Sequence, residues 1–265
     1  MAGPMASPPL LDLQDVTALR AGRRALDRVS LRIRAGENVA VIGPNGSGKS
    51  TLVKLLTREL YPVALEGPFT LRLLGRDRWE LLDLRRHLGI VSPDLQTDFA
   101  REITGLDAVV SGFFGSVGTW LNTRPTADHL RDAVRALERL GAGHLAGRPM
   151  TEMSSGEARR VLIARALVHH PDALLLDEPM NSLDLRAHRE VRDALRRLAR
   201  GGTSLLLVTH ALEDVIPEIT RAVLLKEGRV FRDGPPAEVL TDEALSALFG
   251  LKVRVEHEDG LYRLK

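Results

Sequence analysis

Residues Gly43-Pro44-Asn45-Gly46-Ser47-Gly48-Lys49-Ser50 fit the pattern G-x-x-x-x-G-K-[ST]. Glycines at this spacing let successive backbone N–H groups turn inward around phosphate oxygens, and a helix starting there aims its positive end at them. In such a loop Lys49 reaches the β- and γ-phosphates, the Ser50 hydroxyl ligates Mg2+, and Thr51 joins the phosphate-binding set. A plain glycine turn is the alternative. The apolar run before the loop and the helical spacing after it are what phosphate binding requires.

A second group narrows the chemistry. In Ala173-Leu174-Leu175-Leu176-Asp177-Glu178, four apolar residues carry a buried strand to a pair of acids. Asp177 is placed to hold the Mg2+ shell, and Glu178 to polarise an attacking water as general base. Ordinary solvated acids at a strand end are the bland alternative. No Asn-Lys-x-Asp element occurs, which disfavours guanine nucleotides.

These residues need a scaffold, and the pattern of the chain supplies one. Leu11, Leu13 and Val16, then Val29, Leu31 and Ile33, alternate as strands do, and Val39 to Ile42 reads as a strand inside a sheet. Helical spacing runs from Ser50 to Leu60 through Leu52, Leu55 and Leu56. A strand over Phe69 to Leu74, a short arginine-bearing helix and the apolar Ile90-Val91 follow. From about Pro93 to Met153 the chain turns glycine- and helix-rich, with an amphipathic helix over Asp128 to Leu140. Another helix, Gly156 to His169, is capped by Ser154 or Ser155 and stopped by Pro171. Strands over Ala173 to Leu176, Ser204 to Val208 and Ala222 to Leu225 follow, with a helix from Leu185 to Arg200 between the first two. Alternation of this kind implies a largely parallel sheet with packed helices.

Between the two sites lies Met153-Ser154-Ser155-Gly156-Glu157, directly before a helix. Alone it reads as a helix cap. Placed between the phosphate loop and the acidic strand, it resembles the Leu-Ser-Gly-Gly-Gln signature of the ABC ATPase family, and the resemblance covers roughly residues 10 to 250. It implies an α/β fold: a RecA-like P-loop NTPase core with a mixed, largely parallel sheet, an N-terminal antiparallel β portion and an inserted helical subdomain. The implied division is a core over 8–92 and 161–235, a helical signature subdomain over 93–160 and a C-terminal tail over 236–265. In that family the signature of one subunit grips the γ-phosphate held by the phosphate loop of a second. Ser154, Ser155 and Gly156 would do so here by hydroxyl, N–H and helix N-terminus. Asn181-Ser182-Leu183-Asp184 resembles the D-loop, which in the family contacts the partner subunit. His210 matches the switch histidine that hydrogen-bonds the γ-phosphate.

The chain departs from the pattern in three places. The aromatic residue that stacks on adenine in many members would fall near Arg20, and no aromatic lies between Met1 and Lys49. Either the Arg20 guanidinium covers the base, or the base is held loosely. The signature carries Ser155 for its first glycine and Glu157 for glutamine. The Q-loop glutamine, a ligand to Mg2+ and water, is matched by Gln96 only after an intervening Ser92-Pro93-Asp94-Leu95. Val91 to Gln96, Val109 to Gly118 and Ser154 to Arg160 look similar to the molybdate- or iron-complex branch, and Gly234 to Leu251 to the tail of metal-chelate importers. Phe113, Phe114 and Trp120 read either as subdomain core or as a groove that receives a membrane partner's coupling helix.

Composition sets the outer bounds. The chain has 265 residues, 44% hydrophobic, with a formal charge of +2 and no cysteine, which excludes disulfides and cysteine-bound zinc and suits a reducing cytosol. No apolar run is long enough to span a bilayer, and Met1 to Pro9 does not read as a signal peptide. Basic clusters at Arg131–Arg139 and Arg192–Arg200 fall at helical spacing without interleaved aromatics, which disfavours nucleic acid. The expected function is an ATP- and Mg2+-dependent ATPase subunit of a transporter, an importer of a metal, oxyanion or metal-chelate. Its expected partners are a second copy or a related ATPase subunit, an integral membrane permease and a substrate-binding protein, and its expected place is peripheral on the cytoplasmic face. A soluble ABC ATPase acting on DNA or ribosomes is the alternative. Glu157 speaks for it; the short interval from Gly48 to Met153 and the presence of one ATPase unit speak against it.

Overall fold

The structure, a computed structural model, describes residues 8–64, 67–99, 102–116 and 124–265. Contacts divide the chain into two compact units, one made of residues 1–79 and 204–265, the other of residues 80–203. The expected Trp120 lies outside the described residues.

The first unit opens with β1 (Leu11–Arg20) and β2 (Arg23–Ile33), an antiparallel pair with Leu13 opposite Leu31. After β3 (Val39–Ile42) and α1 (Lys49–Leu56), β4 (Thr70–Leu73) pairs with the far edge of β1. The alternating leucines and valines of β1 and β2 are buried, as their period of two requires. The helix stops at Leu56 rather than running on to Leu60. Arg58 takes a left-handed φ of 61°, and the N–H groups of Glu59 and Leu60 both return to the Lys54 carbonyl, at 2.9 and 3.0 Å. Local carbonyl capping ends a helix whose apolar spacing continues.

The second unit contains α2 (Leu81–His87), β5 (Leu88–Val91), α3 (Pro93–Asp98), α4 (Gly105–Val110), α5 (Ala127–Arg139), α6 (Ser155–Leu167), β6 (Ala173–Asp177) and α7 (Leu185–Arg200). β5 and β6 are parallel, with Val91 level with Leu176. α5 and α7 each show one apolar face, whereas α6 is buried on nearly all sides. It packs against α4, α5, α7 and β5, so it needs apolar residues all round. Gly89 of β5 leaves room for this approach: a Cβ there would fall 2.5 Å from the Ala166 carbonyl.

The first unit resumes with β7 (Ser204–Thr209), β8 (Arg221–Lys226), β9 (Arg229–Gly234), α8 (Pro236–Val239), α9 (Asp242–Phe249), β10 (Val255–Glu258) and β11 (Leu261–Leu264). β3 lies between β7 and β8, parallel to both, and β9 runs antiparallel on the outer side of β8. All four residues of β3 are 0% exposed, which explains its unbroken apolar run. Arg221 holds this unit together at one point. Its guanidinium donates to both Asp233 oxygens at 2.6 and 2.7 Å, to the Arg32 carbonyl at 2.8 Å and to Glu37. These partners raise its pKa, the hydrogen bonds to Asp233 most of all. Together these elements make a RecA-like P-loop NTPase core with a mixed sheet, N-terminal antiparallel strands and helical insertions.

Candidate functional site

In the first unit, β3 delivers the chain straight into the glycine loop. Gly43 N–H donates to the Thr209 carbonyl at 3.3 Å, so the loop starts level with the end of β7. A Cβ on Gly43 would collide with the Leu225 carbonyl and with Ser47 Oγ. Gly48 has φ 107°, and a Cβ there would lie 2.6 Å from the Ala25 carbonyl of β2. These two glycines therefore bring the backbone where no side chain fits. Pro44, Asn45 and Gly46 form the partly open crest, Gly46 with φ 82° and an open face.

Lys49 begins α1 and is 6% exposed. Its Nζ donates to the carbonyls of Gly43 at 2.8 Å and Pro44 at 3.3 Å, which holds the ammonium over the loop. Ser47 is 2% exposed, and its Oγ has no hydrogen-bond partner among the described residues. A buried unpaired hydroxyl is costly, and here it lines a loop shaped for phosphate oxygens. Ser50 is exposed and Thr51 buried, and the first turn of α1 carries no acidic side chain to compete for an anion. The residues present thus fit a nucleotide phosphate chain with its divalent cation.

His210 follows β7 directly and is exposed. Behind it, Thr209 Oγ1 donates to Asp214 at 2.6 Å and accepts from Ala211 N–H at 3.1 Å. Thr209 and Asp214 are buried, and this lock fixes the turn that carries His210. Since Thr209 pairs with Ile42 and bonds to Gly43, the register brings His210 to the start of the phosphate loop. Arg20 ends β1 at the tip of the β1–β2 hairpin, opposite Arg23. The same hairpin passes Gly48 at Ala25 and Leu26.

In the second unit, β6 carries Asp177 to its end, 9% exposed, and Glu178 follows half-buried. Glu178 has φ 48°, a left-handed conformation that a glutamate adopts at a cost. Its carbonyl accepts from Asn181 N–H at 3.2 Å, closing a turn through Pro179. Asp184 caps α7, accepting from Ala187 N–H at 2.7 Å. Gln96 lies in α3, and its side chain is outside the described residues.

Ser154, not Ser155, caps α6. Ser154 Oγ accepts from Glu157 N–H at 3.3 Å, and Glu157 accepts from Ser154 N–H at 2.8 Å. This reciprocal box explains the glutamate: it ties down the signature turn. Arg148 adds a bond to Glu157 at 3.1 Å and another to the Glu152 carbonyl at 2.6 Å. The Ser154 backbone N–H, followed by the Ser154 hydroxyl and the charges of Arg148 and Arg160, holds the Glu157 carboxyl below its ordinary pKa against the effect of burial. Gly156 sits against α7, where a Cβ would fall 2.5 Å from Ala187 Cβ. Ser154, Gly156, Glu157, Arg160, Asp184 and Ala187 line a polar cleft of about 380 Å3. The second unit thus gathers the signature-like turn, the acidic turn and the Asn181–Asp184 stretch that resembles a D-loop.

Phe113 and Phe114 are half-buried against histidines rather than fully in the core. Phe113 stacks on His129 at 4.4 Å and meets His169 edge-on at 5.2 Å, while Phe114 meets His129 at 5.4 Å. Nearby, Leu81 and Leu82 of α2 are 51% and 59% exposed, and Arg85 donates to the Gly115 carbonyl at 3.0 Å.

A glycine-lined phosphate loop on β3 and a strand ending in Asp-Glu define a P-loop nucleoside triphosphatase. The ABC transporter family profile matches residues 26–181, and the chain belongs to that family. It is 35% identical over 251 residues to the uncharacterized ABC transporter ATP-binding protein YlmA of Bacillus subtilis, covering 93% of each chain. It is 36% identical over 242 residues to the hemin import ATP-binding protein HmuV of Nocardia farcinica, covering 88% of this chain and 78% of that one. In structure it resembles a chain from an inward-facing ABC transporter of metal-chelate type, with a TM-score of 0.76, 25% identity, and 97% and 96% of the two chains covered. The protein is therefore an ATP-binding and ATP-hydrolysing ABC-type ATPase.

Two groups of side chains that hold the turns of the site are not legible in the sequence. One is Arg159, one of several arginines in a helix, whose Nη1–H donates to the Glu178 carbonyl at 3.1 Å. The other is the Thr209–Asp214 pair, whose only signal is the Thr-x-x-x-x-Asp spacing around His210.

Proposed function

We propose that this chain drives import of a metal-chelate through a separate membrane permease, with ATP closing a head-to-tail dimer of two copies or of this chain and a related subunit. The observation that carries the reading is the pairing of a complete phosphate loop with a signature turn pre-set by its own capping box. The hemin-import relative and the metal-chelate type structure support the substrate class. No helix among the described residues is long and apolar enough to cross a membrane, which leaves the pathway to another polypeptide. The half-buried Phe113 and Phe114, with the exposed Leu81 and Leu82, are the proposed seat for that permease's cytoplasmic helix. In this reading 8–92 and 161–235 form the core, 93–160 the signature subdomain and 236–265 the tail.

In the proposed mechanism the backbone N–H groups of the loop beyond Pro44 bind the phosphates, Lys49 neutralises the β- and γ-oxygens, and Thr51 supports the loop from within. Arg20 covers the base at the hairpin tip. Ser50, Asp177 and Gln96 are the proposed Mg2+ ligands; the cation, when bound, supplies charge stabilisation to the transferring phosphoryl group. Glu178 accepts a proton from the attacking water, and His210 donates to the γ-phosphate. Ser154, Ser155 and Gly156 close over the nucleotide held by the other copy. Catalysis is positioning and charge stabilisation, with no covalent bond to the protein.

Affinity purification of the tagged chain from membranes solubilised in mild detergent tests the transport role. An integral membrane partner that stimulates ATPase activity is expected. Salt-sensitive recovery of ribosomes or DNA without a membrane partner would reverse it.

A further inference from the structure

Arg159 lies in the second turn of α6 and is 4% exposed. A buried guanidinium is retained only where its donors are well used. Its Nη1–H donates to the backbone carbonyl of Glu178 at 3.1 Å, the same oxygen that accepts from Asn181 N–H. Burial lowers the Arg159 pKa, and the charge of Asp177 opposes that shift. The guanidinium thus meets the Glu178 backbone and feels the charge of Asp177. Because Glu178 is left-handed, the direction of its side chain depends on how its peptide groups are held, and Arg159 holds one of them.

The first turn of the same helix belongs to the signature-like turn. Ser154 and Arg159 are five residues apart, about 7.5 Å along a rigid helix. α6 also touches the start of α7 through Gly156 and Ala187, so the helix meets the acidic turn and the D-loop at separate points. Such a helix cannot take up a displacement at its first turn without passing it to the second.

We propose that Arg159 is a positioning residue that transmits the state of the signature turn to the Glu178 backbone, so that ATP gripped by a chain's signature sets the base which that chain presents to the other nucleotide of the dimer. This rests on the dimer and on Glu178 as base. Each chain would then be loaded at one composite site and set for chemistry at the other, and Arg159 would make hydrolysis cooperative in ATP.

Initial ATPase rates of the full chain against ATP concentration test it, with Arg159→Gln, Arg159→Lys and Glu178→Gln measured beside the wild type. Arg159→Gln is expected to lower kcat about tenfold, the scale of a small misplacement of a catalytic group, to leave nucleotide affinity unchanged and to bring the Hill slope from above one to one. Arg159→Lys, which keeps a charged donor on a long stem, is expected to recover most of both. Wild-type rate and slope in Arg159→Gln would overturn the proposal, as would a parallel loss of affinity and rate. Failure of both Arg159 variants to fold would assign the residue to the core and overturn it too. An inactive Glu178→Gln beside an unaffected Arg159→Gln would remove this inference alone. An active Glu178→Gln would remove the base assignment beneath it.

Discussion

In the proposed function the phosphate loop and the signature-like turn both hold phosphate, yet they achieve rigidity by different means. The loop relies on backbone: Gly43 and Gly48 pack where a Cβ would strike carbonyls or a side chain, and Lys49 is tied to the loop's own oxygens. The turn relies on side chains. Ser154, Glu157 and Arg148 form a polar mesh at its mouth, and Arg159 reaches under the acidic turn. A backbone device tolerates almost no substitution, because its glycines are a steric necessity. A side-chain device can be rebuilt with other donors and acceptors, which accounts for Glu157 standing where the family pattern has glutamine.

Substitutions should separate the two devices. The largest effect is expected for Lys49→Ala, which removes the charge-assisted contacts to phosphate and should weaken ATP binding about 100-fold, read by nucleotide titration with the melting temperature of the free chain as control. Gly156→Val, pressed into Ala187, should destabilise by about 1–3 kcal/mol in denaturant unfolding and lower ATPase activity with it. Arg221→Met, which removes a guanidinium shared by Asp233 and Glu37, should cost about 2 kcal/mol while leaving nucleotide affinity near wild type.

The smallest effect is expected for Glu157→Gln, below about 1 kcal/mol at neutral pH, since the amide oxygen can still accept from Ser154 N–H. The pH dependence has a definite sign. Glu157 is held below its ordinary value of 4.5, so its stabilisation is complete above that value and is lost as pH falls through the lower folded value. Melting temperature against pH in that acid range should therefore fall less steeply for Glu157→Gln than for wild type.

The same contrast explains what the sequence made legible. The loop could be read because steric necessity leaves a fixed spacing of glycines, and the acids could be read because four apolar residues announce their strand. α6 was visible as a helix, but the direction of Arg159 was not, since arginines at helical spacing ordinarily face solvent. α1 ended early because Arg58 entered the left-handed region, which no apolar pattern reports. The tail, residues 236–265, holds α8, α9 and the β10–β11 hairpin. Its turn was signalled by Asp259-Gly260, both at positive φ, between alternating residues.

Glu178→Gln probes the account most directly, with ATP turnover and oligomeric state measured on the same sample. The variant should bind ATP as the wild type does, lose turnover by at least about 100-fold and accumulate as an ATP-bound dimer in size-exclusion chromatography with light scattering. Hydrolysis at the wild-type rate, or a nucleotide-bound monomer at concentrations where the wild type associates, would contradict it.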